Sequence, residues 1–417
     1  MSESRSVPPL RIAVLGDFEG VHTRRWLEVF VQRGHEVHAI SYYRPDADLP
    51  GVTLHVLSSS KLEARQANEA CTGDHLSLGE RVRVRAGAPE TLMRRFVPPS
   101  LQRVVQARRY MRAGLGRVLN EIEPDVFHAH YAVEHGFYGS FAGFHPYVVS
   151  AWGSDLLVES RKPLGRLIAR RALSKAELVT ANDGSLARRA AELGVPEEDI
   201  EIIHLGIDRE FLDAGEHSAN LRPAADLPPT VISDRALEPL YNVDVVLLAF
   251  ARLRERLPGA RLVVAGDGSR RSRLEALARE RDLGNSVQFT GRLSPEALAT
   301  ALANAHVYVS VPSSDSLALS TVEAMAAGCF PVVSDLPSND GWIADGTSGL
   351  IVPSRDSGAL AAALHRALTD ATMRQAAVAP NRAKVEAAGL RERNMLLMER
   401  HYYRLAGHPQ AGEGEAI

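Results

Sequence analysis

The sequence predicts an α/β protein of two domains, and three observations carry that prediction. Short apolar runs that read as buried strands alternate with amphipathic helical patterns along most of the chain. The length, 417 residues, accommodates two domains of ordinary size. Finally, residues 312–328, PSSDSLALSTVEAMAAG, begin as a loop and become a helix directly after the apolar run 307–311. A loop and a fresh helix N-terminus at the carboxyl end of a strand is where open α/β sheets bind ligands, phosphates in particular.

Taken in order, residues 11–16, RIAVLG, read as a first strand ending in Gly16. A helix over 21–33 carries Trp26, Leu27, Val29 and Phe30 at helical spacing, and a strand over 36–41 completes a βαβ opening. Gly16 and Gly20 are four apart, so the G-x-G-x-x-G fingerprint of a dinucleotide site is missing. Asp46 and Asp48 form a D-x-D triplet between Pro45 and Pro50, which reads as a solvated loop. Residues 59–100 carry no readable pattern, and a helix is expected over 101–121.

Residues 125–130, DVFHAH, form a strand ending in His128 and His130, which share a face. With His135 they lack the Cys or carboxylate partners that a zinc site needs at the right spacing. Strand 147–150 leads into Ala151-Trp152-Gly153-Ser154-Asp155. Helix 164–173, strand 178–181, helix 184–193 and strand 200–204 close the first domain. Residues 209–228, rich in Ala, Pro and charge, read as a linker. Strand 229–233 opens the second domain and leads, through SDRALEPLYN, into a helix with Val243, Val246, Leu247, Phe250, Leu253 and Leu257 on one stripe. Strands are expected over 262–265, 287–290, 307–311, 330–334 and 350–352, with a last helix over 390–403.

In the loop 312–328, Ser320 and Glu323 have the spacing of a capping box, and Gly328 is the expected stop. Asp315 and Glu323 bracket the helix start. Carboxylates accept hydrogen bonds and donate none, so they suit a diol such as a ribose or a hexose edge.

This segment resembles the signature of the family 4 glycosyltransferases, retaining nucleotide-sugar enzymes of GT-B fold. Their pattern is Glu, seven residues, Glu, then Ala-Met-Ala-x-Gly. The chain keeps Glu323-Ala-Met-Ala-Ala-Gly328 and has Asp315 at the first acid. The resemblance implies two Rossmann-like domains facing across a cleft. An acceptor domain would span 1–208 and a donor domain 209–389, with a helix crossing back to the first domain over 390–417. It implies that Glu323 holds the donor ribose and that Asp315 touches the transferred sugar. Ser316, Leu317, Ala318 and Leu319 would lie along the donor, and the turn Gly291-Arg292-Leu293 beside its base. Gly16 would face the phosphates. Arg235 matches the family's phosphate-binding Arg, while Tyr241 stands where the usual Lys would be. On the acceptor side the resemblance lands on His130, Trp152 and Asp155. Trp152 occupies the place of a common His, and Asp155 is a candidate ligand for the acceptor hydroxyl. Asp315, His130 and Asp155 are thus the candidate catalytic residues.

The expected reaction is hexosyl transfer from a UDP- or GDP-sugar to a hydroxyl of a glycan, lipid or small molecule, with no cofactor and no metal. A nucleotide-sugar epimerase of the same fold and a degenerate binding subunit are the alternatives. A phosphorylase is disfavoured, because the lysines are Lys61, Lys162, Lys175 and Lys384, none in a second-domain loop. Net charge is −3, so no general nucleic-acid affinity is expected. The N-terminus lacks an apolar signal region, and two cysteines fit a reducing cytoplasm. Between Arg81 and Arg117 lie ten Arg and one acid, which suits peripheral contact with anionic lipid at the inner face of a membrane. A second basic run spans 161–175.

Overall fold

The structure, a computed structural model, describes residues 8–57, 114–221 and 228–408. It divides into two compact units. One comprises residues 1–182, 186–203 and 395–417, the other 183–185 and 204–394.

In the first unit, parallel strands run in the order β3-β2-β1-β4-β5-β6-β7. β1 (Arg11–Leu15) lies between β2 (Glu36–Ser41) and β4 (Val126–His130). β3 (Val52–Val56) is an edge, and β5 (Tyr147–Ala151), β6 (Leu178–Ala181) and β7 (Ile200–Ile202) extend the other side. β1, β4 and β5 are buried almost throughout, because parallel strands are covered on both faces. β3 escaped the sequence reading because VTLHV is short, partly polar and half exposed. The helix expected over 101–121 lies outside the described residues up to 113 and is helical over 114–122. The Arg81–Arg117 segment likewise falls almost entirely outside them.

In the second unit the order is β10-β9-β8-β11-β12-β13, again parallel. The strands are β8 (Thr230–Ser233), β9 (Arg261–Val264), β10 (Val287–Phe289), β11 (Val307–Ser310), β12 (Phe330–Ser334) and β13 (Leu350–Val352). The chain runs from β8 outward through β9 and β10, then returns to β11 on β8's other side. The carboxyl ends of β8 and β11 therefore flank a topological switch point, as those of β1 and β4 do in the first unit.

The linker reading is corrected. Glu210–Leu221 is a helix, and Phe211 and Leu212 are 1% and 2% exposed in a cluster with Val322 and Met325. Ala and charged residues are good helix formers, and two apolar side chains suffice to dock the helix. Gly215 allows the approach: a Cβ there would lie 2.7 Å from the Ala327 carbonyl oxygen.

The last helix, Arg391–Leu405, joins the first unit from Met395 onward. His35 accepts the Leu10 N–H at Nδ1, so its proton sits on Nε2 and is donated to Glu399 at 2.6 Å. Arg33 adds a second bond to Glu399 at 2.7 Å. Burial pushes the Glu399 carboxyl up, but the bonds from His35 and Arg33 outweigh it and hold it below the ordinary value. A depressed carboxyl stabilises above its ordinary pKa, and the contribution is lost as pH falls through the folded value. The first unit's melting temperature should therefore fall more steeply below about pH 4.5 in wild type than in Glu399→Gln. Parallel pH–stability curves would contradict this account of the clasp.

Candidate functional site

The densest polar arrangement of the second unit sits at its switch point. Arg235, just past β8, donates from one terminal nitrogen to Asp315 Oδ2 at 2.6 Å and from the other to Ser320 Oγ at 2.7 Å. Its guanidinium carbon lies 4.3 Å from the centre of the Tyr241 ring. Tyr308 of β11, fully buried, donates its hydroxyl to the same Ser320 Oγ at 2.7 Å. Residues from the β8 loop, the β11 loop and the following helix thus converge on one guanidinium. Burial weakens the charged form of Arg235, yet Asp315 and its neighbours outweigh this and raise its pKa further. Burial raises the Asp315 carboxyl, and Arg235 opposes that shift.

Two of the five guanidinium N–H groups are committed to Asp315 and Ser320, and Nε is buried without a partner. Beside them lies half-buried Asp234, its Oδ1 buried without a hydrogen bond and its carboxyl raised by burial against the pull of Arg235. Asp234 and Tyr308 went unnoticed in the sequence, where nothing distinguishes them from any strand-end residues.

The capping box is not formed. The helix runs Leu319–Ala327 with Ala318 at its N-cap and no side-chain cap bond, while Gly328 ends it at φ +83° as expected. Ser320 is therefore inside the first turn, its hydroxyl engaged by Arg235 and Tyr308. Glu323 is half-buried on the second turn, five positions past the Ala318 N-cap and not the three of a capping box. In the loop before the helix, Ser316, Leu317 and Ala318 are buried and Leu319 half-buried. The Leu317 N–H, one of those available for an anion, is held instead by Asp183 Oδ2 at 2.8 Å. Gly291, buried at φ +75° after β10, makes the expected turn, with Arg292 exposed and Leu293 half-buried.

At the first unit's switch point, Gly16 follows β1 in a tight place: a Cβ would lie 3.3 Å from Thr23 Cγ2 and 3.7 Å from His130 Cβ. His128 and His130 prove unequal. His128 is held by Tyr402 Oη at 2.5 Å and Ser150 Oγ at 2.7 Å, and burial pushes its pKa down to about 3. His130 is 1% exposed with neither ring nitrogen hydrogen-bonded. Burial, then His128 and His135, lower its pKa well below the ordinary value, so it is a neutral imidazole. Its ring packs against Trp26 at 5.1 Å and Trp152 at 4.6 Å between centres. A buried imidazole with both nitrogens idle costs stability.

Asp155 sits in the first turn of the short helix after β5. It is fully buried, and its carboxylate accepts the backbone N–H groups of Ala132 and Gly153, each at 2.9 Å, and of Trp152 at 3.4 Å. Burial raises its pKa against those bonds. It clamps the β5 loop to the turn after β4. Asp155→Asn would turn an amide NH2 toward backbone donors, so a loss of about 1–3 kcal/mol of stability is expected, with the acceptor KM unchanged in the folded fraction. An intact melting curve with a raised acceptor KM would restore the ligand reading. Among the described residues, no group of three His, Cys, Asp or Glu side chains is placed to hold a metal ion.

Comparison with known proteins agrees with this architecture. Residues 20–211 match the family model "Glycosyltransferase Family 4" and residues 220–384 match "Glycosyl transferases group 1". Over 143 residues the chain is 34% identical to the phosphatidyl-myo-inositol mannosyltransferase of Mycolicibacterium smegmatis, covering 34% of this chain and 36% of that protein. Matches to the first curated relatives span 36% to 60% of their lengths. Among solved structures, a sucrose-phosphate synthase from Thermosynechococcus elongatus superposes with a TM-score of 0.71 at 18% identity, covering 95% of this chain and 99% of that one. Anabaena HepE, solved in complex with UDP and glucose, gives 0.66 at 15% identity, over 95% and 100%. Both likenesses show the GT-B fold.

Proposed function

Because the chain belongs to the family 4 glycosyltransferases, we propose that it transfers a hexosyl group from a UDP- or GDP-sugar to an acceptor hydroxyl with retention of configuration. The observation that carries this reading is Arg235, held by Asp315, Ser320 and Tyr241 at the β8–β11 switch point. Its uncommitted terminal N–H groups suit a diphosphate, and the N-terminal amides of the helix Leu319–Ala327 add to that charge. Glu323 accepts the ribose hydroxyls. Asp315 lies beside the transferred sugar, and the turn at Gly291, Arg292 and Leu293 meets the base. Gly16 faces the phosphates. His130 and Trp152 serve the acceptor, the neutral imidazole as a hydrogen-bond partner and the indole as a stacking face.

In the reaction the bond from the anomeric carbon to the leaving phosphate oxygen breaks. The acceptor oxygen bonds to that carbon on the same face, and its proton passes to the departing phosphate. No side-chain nucleophile is needed, so the protein contributes positioning and stabilisation of the phosphate charge. Arg235 and the helix amides meet that charge without a metal. The place of work is the cytoplasm or the inner face of a membrane; no described helix is long and apolar enough to cross one.

The test is incubation of the full chain with a UDP- and GDP-sugar panel, with and without EDTA, reading nucleoside diphosphate release and product anomeric configuration by proton NMR. Release from one donor, insensitive to EDTA and with retained configuration, is expected. An inverted product contradicts retention, an epimerised free nucleotide sugar supports an epimerase, and binding without turnover supports a degenerate subunit.

A further inference from the structure

The helix Pro163–Leu173 packs one face on the first unit through Ile168, Ala169, Ala172 and Leu173. Away from that face stand Leu164 and Leu167, 40% and 66% exposed, with exposed Arg166 and Arg170 along one side of them. A leucine two-thirds exposed at the centre of a helix face is an unfavourable place for an apolar side chain in water. Val158, 38% exposed, precedes the same helix. Residues 161–175 contain Arg161, Lys162, Arg166, Arg170, Arg171 and Lys175 and no acid at all. The nearest preceding carboxylate, Glu159, is occupied by Lys162 at 2.9 Å. Arg171 is turned inward, donating to the Ser140 carbonyl at 3.1 Å and lying over Phe141. Arg166 and Arg170 remain as the exposed cations of this helix beside the leucines.

We propose that this face docks on an anionic lipid bilayer, with Leu164 and Leu167 entering the headgroup–acyl boundary and the basic side chains meeting lipid phosphates. The charge pattern selects that occupant. A second copy of the chain would set this basic face against itself, and a nucleic acid would gain nothing from leucines at the centre of the contact. Lipid satisfies both, since Arg and Lys stems lie along an apolar surface while their heads reach phosphate. The helix belongs to the first unit and Arg235 to the second.

Co-sedimentation of the full chain with phosphatidylglycerol-containing vesicles, beside pure phosphatidylcholine vesicles, tests it. Binding to the anionic vesicles alone, weakened by salt, is expected. Leu164→Ser/Leu167→Ser should reduce that binding about tenfold or more, and Arg166→Gln/Arg170→Gln should reduce it and flatten the salt dependence. Both variants should keep wild-type affinity for nucleoside diphosphate, which separates a failure here from a failure of the donor-site reading. Should the leucine variant melt lower than wild type, the arginine variant alone carries the test. The proposal is overturned if wild type ignores anionic vesicles, if both variants bind them as wild type does, or if ultracentrifugation shows a dimer that the leucine variant dissolves.

Discussion

Arg235→Ala is expected to weaken binding of free UDP or GDP by about tenfold to a hundredfold, the equivalent of one charge-assisted bond worth roughly 1.5–3 kcal/mol. The same change leaves Asp315 without its partner, in a site where burial already raises its carboxyl. It also frees the Tyr241 ring. By the resemblance Tyr241 stands where the family has a second phosphate cation, and its ring lies 4.3 Å from the Arg235 guanidinium, a cation–π contact that steadies it. Tyr241→Phe keeps that stacking and should bind diphosphate within about twofold of wild type, whereas Tyr241→Ala should lose several-fold. Tyr241→Lys restores a second cation and should bind at least as tightly as wild type. Calorimetric titration of the four variants checks the set; unchanged affinity in Arg235→Ala would remove Arg235 from the donor site.

Glu323→Gln is expected to weaken nucleotide-sugar binding by about tenfold to a hundredfold, again one charge-assisted bond, with the melting temperature within a few degrees of wild type. A ribose diol needs two acceptor oxygens and Gln supplies one. The stability half of this forecast is firmer in the structure than in the sequence. With the helix beginning at Leu319 under an Ala318 N-cap, Glu323 has no cap to lose. Even Glu323→Ala should therefore cost affinity without the penalty of a removed cap. Wild-type donor affinity in the Gln variant would leave the signature motif without a functional role here.

The interior strands were legible because parallel sheets bury both faces, so β1, β4, β8 and β11 read as apolar runs ended by Gly or a polar residue. The helix Glu210–Leu221 was not: its composition matches a linker, and what orders it is contact with the helix Leu319–Ala327, far away in sequence. The acid motif located the loop and helix at the switch point but not the role of Ser320, whose hydroxyl is recruited by Arg235, 85 residues earlier. Likewise, two histidines on one strand face look alike in sequence. Tyr402, 274 residues on, satisfies His128 and leaves His130 bare. The backbone bonds of Asp155 were not legible either, since a carboxylate that holds backbone N–H groups has no signature of its own in one sequence.

The measurement closest to the central claim is a crystal structure of the full chain with the nucleoside diphosphate that its donor titration selects. The account predicts the diphosphate within hydrogen-bonding distance, about 2.7–3.2 Å, of the Arg235 guanidinium at the carboxyl ends of β8 and β11, with the ribose hydroxyls on Glu323. A nucleotide seated elsewhere, with Arg235 still closed on Asp315 and Ser320 and Glu323 bare, would contradict it.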